Sequence, residues 1–130
     1  MSGKDVTIFS VVAWALLFSV GLCAHHGVAL YDVSQMVNVT GTVTDFQFVN
    51  PHVRVFFDVT GEDGTVVGWS AELTTPIRLR AIDGWNRDTL KPGNQISITG
   101  SPATDGARLM WVEQVFINGN PLLVRSGGVG

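Results

Sequence analysis

The chain has 130 residues, a formal net charge of −3, 45% hydrophobic residues and a single cysteine. That length points to one domain, and the mild acidity weighs against a nucleic-acid partner, which demands a basic patch. There is no P-loop, G-x-G-x-x-G or H-E-x-x-H pattern, which removes the commonest nucleotide and zinc-protease readings.

Val6 to Ala24 carries no charge and is nearly all apolar, with Lys4 and the amino terminus ahead of it. This is the layout of a secretory leader. It predicts a signal peptide over residues 1–24, cut after Ala24 to leave His25 first. The alternative is an uncleaved anchor, because the run is about long enough to span a bilayer. Leu22 is too large for the position before a lipid-modified Cys23. Removing residues 1–24 takes away only Lys4 and Asp5 among the charged residues and leaves no cysteine. Disulfides, thiolate nucleophiles and cysteine metal sites are then excluded. Membrane contact is expected only through residues 6–24, and only if the leader stays.

Residues 25–35 read as an N-terminal arm opening on His25-His26, and residues 36–125 as the folded domain. Val37, Val39, Gly41 and Val43 alternate with Asn38, Thr40, Thr42 and Thr44, the period-two signature of a strand. At Asp45 the phase changes, since Phe46 and Phe48 become the large apolar residues. A bulge near Asp45 or a bend at Gly41 lets one long strand serve two sides of a curved sheet. After an Asn50-Pro51 turn, the second strand spans His52 to Thr60, with Val53, Val55, Phe57 and Val59 on one face and Arg54, Phe56 and Asp58 on the other. Gly61-Glu62-Asp63-Gly64 is a hairpin loop. The third strand, Thr65 to Leu73, carries Val67, Trp69, Ala71 and Leu73 on one face and Ser70 and Glu72 on the other.

Thr75-Pro76 has the chemistry of a helix start and Gly84 of a stop. Residues 85–90 are expected to add one helical turn, with Trp85 as a lid on one barrel end. Lys91-Pro92-Gly93-Asn94 is a turn. The fourth strand is Gln95 to Gly100 and the fifth Arg108 to Ile117. Gly119-Asn120-Pro121 turns into a brief strand at Leu122 to Val124. Residues 126–130 are expected to be disordered. The order β-β-β-α-β-β predicts an all-β protein, a small five-stranded OB-like Greek-key barrel with one short helix between strands 3 and 4, preceded by an apolar leader helix. The alternative, an immunoglobulin-like sandwich, needs about seven strands.

Ala24-His25-His26, Gly41-Thr42-Val43, Asn50-Pro51-His52 and Gly84-Trp85-x-Arg87-Asp88-x-Leu90-Lys91-Pro92-Gly93 together resemble a family of small, uncharacterised secreted proteins of Gram-negative bacteria. The resemblance runs over roughly His25 to Val124. It implies an exported OB-type barrel in the periplasm or outside the cell, or else anchored to the inner membrane, and it brings no activity with it. The chain departs from the pattern at Gly27, at Leu73-Thr74-Thr75-Pro76 and at Met110-Trp111.

Three side-chain sets could carry chemistry. The histidines His25, His26 and His52 are the metal candidates. With the leader cut, the α-amino group and imidazole of His25 chelate one ion in a single ring. His26 or His52 then supplies a third nitrogen. Nitrogen-rich tetragonal sites favour copper, and zinc with a water or Glu72 is the alternative. Reach is the difficulty. Eleven arm residues extend at most about 36–40 Å, and a straight strand of thirteen residues is about 43 Å long. The competing reading leaves His52 closing its turn and His25-His26 solvated.

The second set is aromatic. Phe56, Trp69 and Trp111, with Glu72, are candidate ligand-binding residues that could grip an envelope protein or an apolar ligand, against the alternative that the rings fill the core. The third reading is a small enzyme pairing His52 with a carboxylate, which predicts a cleft containing both. Glu72, if buried, needs a partner such as Arg54 or His52. Arg87 and Asp88 read as fixing the connection into the fourth strand, against the alternative of a surface ion pair of little weight. Asp58, Glu62 and Asp63 read as a solvated turn, since a calcium loop needs more regularly spaced oxygens.

Overall fold

A computed structural model describes residues 30–125. The expected leader, the His25-His26 pair and the expected disordered tail lie outside the described residues. In chain order the elements are β1 (Val37–Gln47), β2 (Arg54–Thr60), β3 (Val66–Glu72), α1 (Pro76–Asp83), β4 (Gln95–Pro102), β5 (Leu109–Ile117) and β6 (Asn120–Leu122). The sheet runs β3-β2-β1-β4-β5-β6, and a parallel β3–β5 pairing closes it on itself. This is the predicted five-stranded OB-type barrel, with β6 added as a short hairpin arm. No described helix is long and apolar enough to cross a membrane.

The change of phase in β1 is a bulge. Val43 pairs with Phe57 and Asp45 with Phe56, so Thr44 is the extra residue. Upstream, β1 presses so closely on β2 that a Cβ at Gly41 would lie 2.4 Å from the Asp58 carbonyl oxygen. Only glycine fits that crossing. Inside the barrel, Val43, Val55, Phe57, Ala71, Ile98 and Met110 are fully buried, each on the inward phase of its strand, and Val53 just ahead of β2 is buried with them.

Helix α1 begins as the sequence predicts. The Thr75 hydroxyl accepts from the Arg78 backbone N–H at 3.4 Å, Pro76 opens the first turn, and Gly84 ends the helix at φ 65°. Leu79 anchors it to the core. The helical turn expected over residues 85–90 is absent. Instead Asn86 Oδ1 accepts from the Asp88 N–H, and Thr89 Oγ1 accepts from the Asn86 N–H, each at 2.8 Å. Side chains that bond nearby backbone in this way compete with helix. Trp85 is buried in the core and donates from Nε1 to the Leu123 carbonyl at 2.8 Å.

The last turn falls earlier than expected. Asn118 and Gly119 take φ of 49° and 81°, the paired positive values of a two-residue hairpin turn. Strand β6 therefore starts at Asn120 rather than Leu122. On the surface, Asp88 faces Lys91 at 4.0 Å rather than its neighbour Arg87. The Asp63 carboxylate accepts from the Thr65 N–H and hydroxyl, which hold it below its ordinary range.

Candidate functional site at the barrel seam

The β3–β5 seam is three residue pairs long: Ser70 with Leu109, Ala71 with Met110, and Glu72 with Trp111. Alternation sends Ala71 and Met110 inward, where both are fully buried. It sends Glu72 and Trp111 outward, and Arg54 flanks Glu72 from β2. Glu72 thus ends β3 on the outer face, with Arg54 beside it on one strand and Trp111 on the other.

Two further side chains arrive from outside the strands. His52 follows the Asn50-Pro51 turn, whose peptide bond is cis, and its Nδ1 is hydrogen-bonded to Glu72 Oε1. Tyr31 comes from the arm, held by a bridge to Ala103 and by the Asp32 N–H donating to the Pro102 carbonyl at 2.8 Å. Its hydroxyl donates to Glu72 Oε2 at 2.5 Å. Both carboxylate oxygens are therefore engaged. Trp111 stands against both partners, with its ring centroid 5.4 Å from His52 in an edge contact and 5.9 Å from Tyr31.

Barrel closure explains the meeting. Hydrogen-bonded partners lead from Gln47 at the end of β1 through Arg54, Glu72 and Trp111 to Ser101. Ser101 adjoins Gly100, which pairs with Val37 at the start of β1. One circuit of the barrel returns about a strand length lower, because closure requires a stagger between strands. The arm therefore does not travel back along β1 to reach His52. It is delivered there by the stagger.

The electrostatics follow from burial. Tyr31 is pushed above its ordinary phenol value, first by burial and then by the hydrogen bond and charge of Glu72, with Arg54 opposing. The His52 side chain is 39% exposed and Glu72 14%. With Nδ1 tied to a carboxylate, Nε2 is the nitrogen that His52 can offer outward. Carboxylate-held histidines are the usual way a protein fixes the tautomer and orientation of a metal ligand.

His52, Glu72 and Trp111 are brought together. Phe56 lies on the same outer face, opposite Ser70. Trp69 lies on the inward phase opposite Phe57 and stacks on that ring at 6.5 Å. No group of three His, Cys, Asp or Glu side chains that could hold a metal occurs among the described residues. His25 and His26 lie outside them. Tyr31 is the participant that sequence reasoning missed. Its one signal is that the chain's sole tyrosine stands in the arm ahead of the first strand, since a tyrosine ring is stabilised chiefly by burial.

Residues 15–110 match the family of unknown function DUF6152. The chain belongs to this family. No curated protein matches it. Among solved structures it is similar to a mitochondrial single-stranded DNA-binding protein of S. cerevisiae, Rim1, with 7% identity and a TM-score of 0.50, over 66% of this chain and 94% of that one. The likeness shows a shared OB barrel and nothing about ligands. TiaS, solved in complex with a transfer RNA and ATP, is more distant in shape, with a TM-score of 0.42 and 17% identity over 67% of this chain and 19% of that one.

Proposed function

We propose that this DUF6152 protein is an exported, periplasmic copper-binding module in which His52 and the N-terminal histidines His25 and His26 share one ion. The observation that carries the reading is Glu72. It binds Tyr31 of the arm and His52 of the turn at once, so the segment leading to His25-His26 departs from beside His52. The remaining nitrogens supply the set: Nε2 of His52, and the α-amino group and imidazole of His25 once the leader is removed. The α-amino group titrates near 7.7–8.0 in model peptides, about where a metal can displace its proton at neutral pH. Zinc is the alternative cargo, with a water completing the site.

The test is purification of the exported protein, its intact mass, and titration with Cu(II). A mass beginning at His25, one copper per chain, and at least a tenfold loss of affinity in both His25→Ala and His52→Ala are expected. A different amino terminus, or His52→Ala binding copper as tightly as the parent, overturns the reading.

A second reading rests on Phe56 and Trp111, which are half-buried on one outer face. That face would take an envelope protein or an apolar ligand. It is favoured if the protein binds no copper and Phe56→Ala releases a partner captured by the parent chain. The enzyme reading requires a cleft that holds His52 and a carboxylate together; the cleft described beside α1 is lined by other residues, Trp111 and Glu113 among them.

A further inference from the structure

The same Trp111 that stands over His52 is also the wall of a separate cleft between α1 and β5, about 290 Å³ in volume. Ile82 of α1 and Val124 beyond β6 add apolar surface. Its charged members are Arg78, Arg125 and Glu113. Arg125 Nη1 donates to Glu113 Oε2 at 2.5 Å, so that pair is internally neutral. The Arg78 guanidinium has no ion-pair or side-chain hydrogen-bond partner among the described residues. Among the described residues the cleft therefore carries one positive charge without an ion-pair partner, in a chain whose net charge is −3.

A planar fork of N–H donors is the group best matched to a carboxylate, which it meets through two parallel hydrogen bonds. An indole ring with aliphatic neighbours is suited to a flat apolar body. We propose that this cleft binds a small aromatic carboxylate, with its carboxylate on Arg78 and its ring against Trp111. His52 does not line the cleft, and the proposal does not depend on the copper reading.

The test uses the exported full chain and two probes of equal shape, phenylacetate and its uncharged amide, followed by two-dimensional amide NMR. Phenylacetate is expected to give saturable shifts at the Trp111 indole N–H and the Ile82 amide below about 10 mM, the weak end for a ligand of so few atoms. The amide is expected to bind at least tenfold more weakly. Arg78→Gln, an exposed position, is expected to weaken phenylacetate at least tenfold while leaving the remaining amide pattern in place. Glu113→Gln frees the Arg125 guanidinium from its ion pair, adds a second cation to the cleft, and is expected to tighten phenylacetate binding. Shifts that do not saturate, an amide that binds as well as the acid, or an Arg78→Gln chain with undiminished affinity overturn the proposal.

Discussion

Ala71 and Met110 face each other across the β3–β5 seam inside the barrel, and Glu72 and Trp111 face each other one residue later on its outside. The inner pair is apolar and wholly buried. The outer pair is polar and aromatic, half-buried, and tied to two loops through Tyr31 and His52. The same backbone ladder supports both. Their stabilities have different sources. The interior depends on area removed from water and on tight filling. The exterior depends on a few hydrogen bonds whose members come from four parts of the chain. Volume changes should therefore damage the first, and polar deletions the second.

The largest effect is expected inside. Phe57 is 0% exposed, and Phe57→Ala should cost about 3–5 kcal/mol in denaturant unfolding, since both transfer and cavity terms apply. Gly100→Ala should damage both regions at once. Its Cβ would lie 2.0 Å from the Trp111 carbonyl oxygen, so β4 and β5 must separate where Trp111 is held. A loss of about 1–3 kcal/mol is expected, with a change in the near-ultraviolet signal of the tryptophans.

Tyr31→Phe sharpens the contrast from the outer side. It keeps the ring on Trp111 and removes only the hydroxyl donated to Glu72, for an expected cost of about 1–2 kcal/mol. The parent chain should also lose stability in alkali through this group. The Tyr31 phenol is pushed up in the folded state, so both states hold the proton below the ordinary phenol value of about 10. Above it the unfolded chain releases the proton first, and stability falls as pH rises. Unfolding midpoints between about pH 9 and 11 should decline less steeply in Tyr31→Phe than in the parent. The smallest effect belongs to neither region. Lys91→Ala breaks an exposed pair at 4.0 Å and should change stability by less than about 0.5 kcal/mol.

The two regions were unequally legible in the sequence. Period-two alternation set the inward residues of β2 and β3, and the phase change at Asp45 located the bulge, because a pleated strand obliges side chains to alternate. The cap and stop of α1 were readable because Thr75 and Gly84 each act within a few residues. The outer cluster was legible only in part. His52 was visible as a partner for a buried Glu72, since a carboxylate out of water needs one. Tyr31 was invisible, because its position depends on the stagger of the closed barrel, which no local pattern encodes. The same stagger defeated the reach argument, which measured distance along β1 instead of around the barrel. Misplaced details, such as the Asn86 turn and the Asn118-Gly119 hairpin, were cases of short polar side chains or positive φ prevailing over a neighbouring pattern.

The parallel seam is only three pairs long, yet Glu72 and Trp111 both belong to it. Local opening of those few hydrogen bonds would part the two residues, and with them Tyr31 and His52, while the antiparallel hairpins stayed folded. The cluster therefore exists only in the closed form of the molecule. Any ligand that needs it intact must stabilise closure by the full free energy of its binding. Amide hydrogen exchange at residues 70–72 and 109–111 should then slow in proportion to occupancy, so that the seam reports on the site from the backbone alone.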